Sequence, residues 1–147
     1  MENKTLIIEQ EFNAPVELVW RAITEKELMQ KWYFDIPDFT LEIGGVFHFE
    51  GGTEEKIYVH ICEMLEIIPC QKLKYSWKYE GYSGISFVTF ELFSMGDKTK
   101  LRLTHEGIDS FPRDNPDLVK DNFIGGWRFL IHESLKNYLE NGKTLKR

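Results

Sequence analysis

The chain has few of the residues that staple, anchor or break a protein. There are two cysteines, Cys62 and Cys70, no C-x-x-C, and four scattered histidines. That pattern gives no zinc spacing, so no metal and two reduced thiols are expected. No apolar run approaches the roughly 18 residues of a membrane span, which excludes integral membrane association through helices. The charged start, Met1-Glu2-Asn3-Lys4, carries no apolar signal segment, so a cytoplasmic location is expected and the sequon at Asn3 is read as chance. Basic charge is in deficit: 18 Lys and Arg against 24 Asp and Glu give a net charge of −6. Nucleic acid and anionic membranes are therefore poor partners. Neither G-x-S-x-G nor the P-loop pattern occurs, so no nucleophile elbow or phosphate cradle is visible. Repeats, linkers and low-complexity tracts are missing as well.

What remains is an ordinary globular composition, 42% apolar and 29% charged over 147 residues. Residues 1–147 are expected to form one domain whose core needs neither disulfides nor a cofactor. Aromatics are abundant at 14%. Thr5 to Phe12 reads as a strand, with Leu6, Ile8 and Phe12 on one face and Gln10 as the polar exception. Pro15 then suits a first helical turn after Asn13 as cap, and Val16, Val19, Trp20 and Ile23 form one apolar stripe. Thr24 to Glu27 has capping-box spacing, which predicts a second short helix carrying Leu28, Met29 and Trp32 and ending before Pro37.

After Phe39 the period changes from helical to alternating, and six strands in sequence are expected. Named segments are Val46–Glu50, Lys56–Ile67, Lys72–Glu80, Ile85–Ser94 and Lys100–Glu106. Imperfect alternation near Cys62 and Glu63 suggests a bulge. Asn115 and Pro116 are the cap and first residue of a last helix, striped by Trp127, Leu130, Ile131, Ser134, Leu135 and Tyr138, with Gly142 as its stop. Gly125 and Gly126 inside it predict a break or a close backbone approach.

The order is α+β: a curved seven-stranded antiparallel sheet around one long C-terminal helix, with two short helices after the first strand. One helix cannot fill the concavity of such a sheet. Either large side chains plug the space or a cavity remains. Phe47, Phe49, Tyr75, Trp77, Tyr79, Phe90 and Trp127 are its expected wall, and Leu103, His105, Ile131 and Gln10 also face inward. Trp32, Tyr33 and Phe34, with Phe111 from the 107–115 loop, are expected at the cavity mouth, with Gly125-Gly126 as a soft point. His105 is read either as a satisfied buried histidine or as a general base. No second ionisable group is placed beside it, so no catalytic residue is assigned. On the outer face Phe87 and Phe93 point out among Lys74, Lys78, Lys100 and Arg102. Basic stems cover these rings, or the rings form a partner patch.

An ordered set of residues carries a family resemblance. It comprises Ala14-Pro15, Val19-Trp20, Ala22, Thr24, Trp32, Gly44-Gly45-x-Phe47, Pro69, Leu73, Trp77, Val88-Thr89-Phe90-x-Leu92, Thr99, Leu101-x-Leu103-Thr104-His105 and Gly126-Trp127. The chain resembles the family named for the C-terminal domain of the heat-shock protein 90 ATPase activator. That family lies within the START-like superfamily, also called SRPBCC or birch-pollen-allergen-like. The resemblance implies the helix-grip fold with a deep cavity between sheet and C-terminal helix. It implies a binder of an apolar small molecule or lipid. The alternatives it implies are a co-chaperone-like interaction module with a role in stress response, acting on a chaperone or as a homodimer through the outer sheet face, and a cyclase- or hydrolase-type enzyme using the same cavity.

Overall fold

A computed structural model describes residues 5–52 and 55–142; Asn3 of the sequon lies outside them. Strand β1 (Leu6–Phe12) is followed by helices α1 (Val16–Thr24) and α2 (Lys26–Trp32). Strands β2 (Val46–Gly52), β3 (Ile57–Ile68), β4 (Lys72–Tyr79), β5 (Ser86–Met95) and β6 (Lys98–Glu106) come next. The C-terminal helix follows as α3 (Lys120–Arg128), a π-helical section Phe129–Leu135 and α4 (Lys136–Asn141).

The strands form one antiparallel sheet in the order β1-β6-β5-β4-β3-β2. Its members after β2 are joined as a meander, and β1 crosses over to pair with β6, Leu6 opposite His105 and Phe12 opposite Thr99. The sheet has six strands, not seven. The alternating stretch after Phe39 is irregular, because its apolar residues Leu41 and Ile43 have no core to face and Ile43 is 64% exposed. Only two backbone bonds tie its end to β3, both at Met64.

Period-2 burial explains the sheet's inner face. In β4, Leu73, Tyr75, Trp77 and Tyr79 are buried; in β6, Leu101, Leu103 and His105 are. The helix stripe from Trp127 to Leu135 packs against that face and closes one core with α1 and α2. Side-chain bonds pin the layers together. Trp32 Nε1 donates to Ala22 O at 2.8 Å, Ser134 Oγ to Trp32 O at 2.7 Å, and Thr99 Oγ1 to Ala14 O at 2.8 Å.

Helix termini differ from the pattern-based expectation. The α1 cap is Pro15, and Asn13 instead offers its backbone N–H to Glu140. No capping box forms at α2, because Thr24 Oγ1 turns back to Trp20 O at 2.7 Å. Asn115 does cap, accepting from Asp117 N, but what it caps is a separate 3₁₀ turn, Pro116–Leu118. Gly142 ends the chain's last helix in a left-handed conformation, φ 66°. The β3 bulge lies between Met64 and Glu66, two residues beyond its expected place.

Gly125 and Gly126 sit in unbroken helix, and an added Cβ at either meets no atom within 4 Å. Close packing on the sheet is therefore not their reason. The departure from α-helical bonding comes later, from Phe129.

Candidate functional site

Most of the sheet's concavity is filled. Phe47, Tyr75, Phe90, Leu103 and Ile131 are fully packed, ring against ring or ring against aliphatic side chain. A cleft of about 280 Å³ lies at the end where β2 and β3 approach α3. Its floor is Trp77 and Tyr79 of β4 with Trp127 and Leu130 of the helix. Tyr58 and His60 of β3, Gly51 and Gly52 of β2, and Phe34 from the irregular connection form one wall. Asp117, Asn122, Phe123 and Gly126 form the other.

The β3 side chains reach the cleft by strand alternation. Tyr58, His60, Cys62 and Met64 are successive inward positions. His60 stacks on its cross-strand partner Phe49, centroids 4.3 Å apart at 11°. Its Nδ1 lies 3.2 Å from the Phe49 carbonyl, which fixes the proton on Nδ1, because a carbonyl can only accept. Trp77 stands perpendicular to His60 at 4.9 Å. Gly51 favours this arrangement, since a Cβ there would sit 3.0 Å from His60 and 3.4 Å from Phe34 and would push the rings by a few tenths of an ångström.

Two polar clusters flank these rings. At the mouth, the Tyr58 hydroxyl donates to Asp117 Oδ2 at 2.7 Å and accepts from Asn115 Nδ2 at 3.1 Å. Asn122 Nδ2 holds the Asp117 backbone carbonyl at 2.8 Å. Burial pushes the Tyr58 hydroxyl above its ordinary pKa. Lys56 adjoins this cluster: its ammonium lies 5.3 and 5.5 Å from the Tyr58 and Tyr82 ring centroids and hydrogen-bonds both hydroxyls.

The second cluster is sealed beneath Trp127. Trp127 Nε1 donates to His105 Nδ1 at 3.0 Å, so the His105 proton is on Nε2 and goes to Ser86 Oγ at 2.8 Å. Ser86 then donates to the Trp77 carbonyl at 2.9 Å. Every donor in this chain has an acceptor. His105 is 0% exposed, and desolvation pushes its pKa down to about 3. The neutral ring faces no cleft and has no free nitrogen, so general-base chemistry through His105 is excluded by its bonding.

The residues singled out from sequence are thus divided. Trp77, Tyr79, Trp127 and Phe34 line the cleft. Phe49 lies behind it, under His60. Trp32, Tyr33 and Phe111, expected at the mouth, are buried: Tyr33 bonds the Tyr75 hydroxyl at 2.8 Å, and Phe111 packs on Tyr79 and Phe123. Gln10 faces the helix but not the cleft; its Oε1 accepts from His132 Nδ1 at 2.7 Å and its Nε2 donates to the Glu11 carbonyl. Sequence reasoning missed Gly51, Gly52, Tyr58, His60, Asp117, Asn122, Phe123 and Leu130 as lining residues, and had Gly126 only as a soft point at the mouth. The phase of Tyr58 and His60 with Cys62 and Met64 was a usable signal for those two. Nothing local announces that Asp117 meets Tyr58 across 59 positions.

On the outer face, Lys74 Nζ covers the Phe87 ring at 5.6 Å and Arg102 covers Phe93 at 5.2 Å. Arg102 and Lys100 also engage Glu9. Phe93 stays 39% exposed. Both thiols are free, and burial pushes that of Cys62 well up. Among the described residues no cluster suits a metal ion, and no helix is long and apolar enough to cross a membrane.

Comparison with known proteins agrees with this architecture. A family model described as Activator of Hsp90 ATPase homolog 1-like protein matches residues 13–140. No curated protein matches the chain. Among solved structures, DynU16, a putative protein in the dynemicin biosynthetic locus, superposes with a TM-score of 0.79 at 20% identity over 97% of this chain. The match covers 49% of DynU16, so this chain spans about half of its length. CalU16 from Micromonospora echinospora gives a TM-score of 0.71 at 27% identity, over 94% of this chain and 77% of that one. Protein CV1439 from Chromobacterium violaceum gives 0.78 at 20% identity, over 93% and 97%. The likenesses at 20% identity establish the shared START-like helix-grip fold.

Proposed function

This chain belongs to the Activator of Hsp90 ATPase homolog 1-like protein family, and from that premise we propose that it is a binding protein for a small, largely apolar molecule held in the cleft between β3, β4 and α3. The observation that carries the reading is the cleft's makeup: rings on most sides, with a few polar groups converging at one end. Ligand sites have that composition. Size narrows the class. A dry cavity of roughly 150 Å³ takes up benzene, and about 300–1,000 Å³ is usual for drug-sized ligands. At about 280 Å³ the cleft suits a one- or two-ring molecule and is too small for a lipid with two acyl chains.

Gly126 supports the reading. It borders the cleft, its Cβ position is empty, and glycine costs a helix about 1 kcal/mol. A bare helix surface at that point keeps the cleft open. Binding is tested by a thermal-shift and native mass-spectrometry screen of one- and two-ring compounds against the wild type and Gly126→Leu. The reading expects hits that the leucine variant loses while remaining folded. Hits retained by Gly126→Leu, or none at all from a broad screen, would refute it.

A further inference from the structure

Charge at the cleft goes beyond size and shape. Among the described lining residues Asp117 is the one carboxylate, and none is a lysine or arginine. Among the described residues no cation forms an ion pair with Asp117, whose one carboxylate oxygen is held by Tyr58. The surrounding rings meet at steep angles: His60 to Trp77 at 90°, His60 to Tyr79 at 60°, Tyr58 to Tyr79 at 66° and Trp77 to Trp127 at 53°. They make walls, not a stack. Aromatic walls around a carboxylate attract a cation, because ring faces carry negative electrostatic potential. Lys56, which is not a lining residue, already answers that attraction at the Tyr58 and Tyr82 rings and hydroxyls. The chain's net charge of −6 adds long-range attraction of the same sign.

We infer that the cleft selects a cationic ligand: an ammonium group borne on a one- or two-ring apolar body, its charge turned to Asp117 and its body against Trp77, Tyr79 and Phe123. This inference rests on the binding reading above and adds the sign of the ligand's charge.

The test is calorimetric titration with three matched probes, 1-naphthylmethylammonium, 1-naphthylmethanol and 1-naphthoate, against the wild type and Asp117→Asn. Asparagine keeps an oxygen for the Tyr58 hydroxyl, so the fold is expected to survive, which circular dichroism checks. The ammonium should bind roughly tenfold tighter than the alcohol, with the carboxylate weakest, an order set by charge and ring faces together. In Asp117→Asn the ammonium's advantage over the alcohol should shrink to within about threefold. Equal binding of alcohol and ammonium to the wild type overturns the charge inference and leaves the binding reading standing. An advantage that survives intact in Asp117→Asn overturns the role given to that carboxylate. If none of the three probes binds, both readings fall.

Discussion

Two polar clusters among the same aromatic rings have opposite fates. His105, Ser86 and Trp127 lie sealed in the core with each hydrogen assigned. Tyr58, Asn115 and Asp117 lie at the cleft mouth, with a carboxylate that forms no ion pair among the described residues. A buried polar group is tolerated when its bonds are complete, and its removal then costs stability. A partly exposed group beside an apolar cleft retains bonding capacity for something else. The contrast separates scaffold from site more sharply than residue type does: the histidine that looks chemical is structural, and an aspartate inside a short 3₁₀ turn is where the proposed ligand would be read.

The largest effect should come from breaking the sealed cluster. His105→Ala strands the Trp127 N–H and leaves a cavity, at a cost of about 3 kcal/mol. For a chain of this size that is a fall in Tm on the order of 10 °C. Urea unfolding checks it. Tyr58→Phe, at the open cluster, should cost under about 1 kcal/mol while weakening ligand binding.

Acid should reveal the same asymmetry without mutation. In the folded protein His105 has a pKa of about 3, against an ordinary value of 6.5 once unfolded. Between those values the unfolded chain binds a proton that the folded chain refuses. Stability from this group is therefore complete above pH 6.5 and declines as pH falls, by about 1.4 kcal/mol per unit. At pH 5 the loss is about 2 kcal/mol, and it should vanish from the pH dependence of His105→Gln. Paired urea titrations at pH 7 and pH 5 measure it.

Smaller still, and opposite in sign, is the effect at Gly126. Gly126→Ala should stabilise the helix by roughly 0.5–1 kcal/mol, since the added methyl meets nothing. Gly126→Leu should retain that gain and obstruct the cleft.

Much of the fold was legible because burial follows simple periods. The β4 alternation Leu73, Tyr75, Trp77, Tyr79 and the helix stripe from Trp127 to Leu135 could be read directly from spacing. Helix starts were harder: the Thr24 hydroxyl turns back to the Trp20 carbonyl of its own helix, and Asn13 gives its backbone N–H to the distant Glu140 in place of capping α1. The expected count of seven strands was one too many, since the five segments named after Phe39, with Thr5–Phe12, are the six strands of the sheet. The candidate site was half legible. Trp77, Tyr79, Trp127 and Phe34 come from aromatic content and position, whereas Asp117 depends on a contact between distant segments. His105 shows the converse: strand phase put it inward, but only its partners tell that it is closed.

The central claim is that the open cluster, and not the sealed one, meets a ligand. The most direct test follows the four tryptophan indole N–H signals by ¹⁵N nuclear magnetic resonance during titration with 1-naphthylmethylammonium. Trp77 and Trp127 line the cleft, whereas Trp20 and Trp32 do not. The account predicts saturable shifts of the Trp77 and Trp127 signals, with those of Trp20 and Trp32 still, and loss of the shifts in Gly126→Leu. Equal movement of all four signals, or unchanged shifts in the leucine variant, would contradict it.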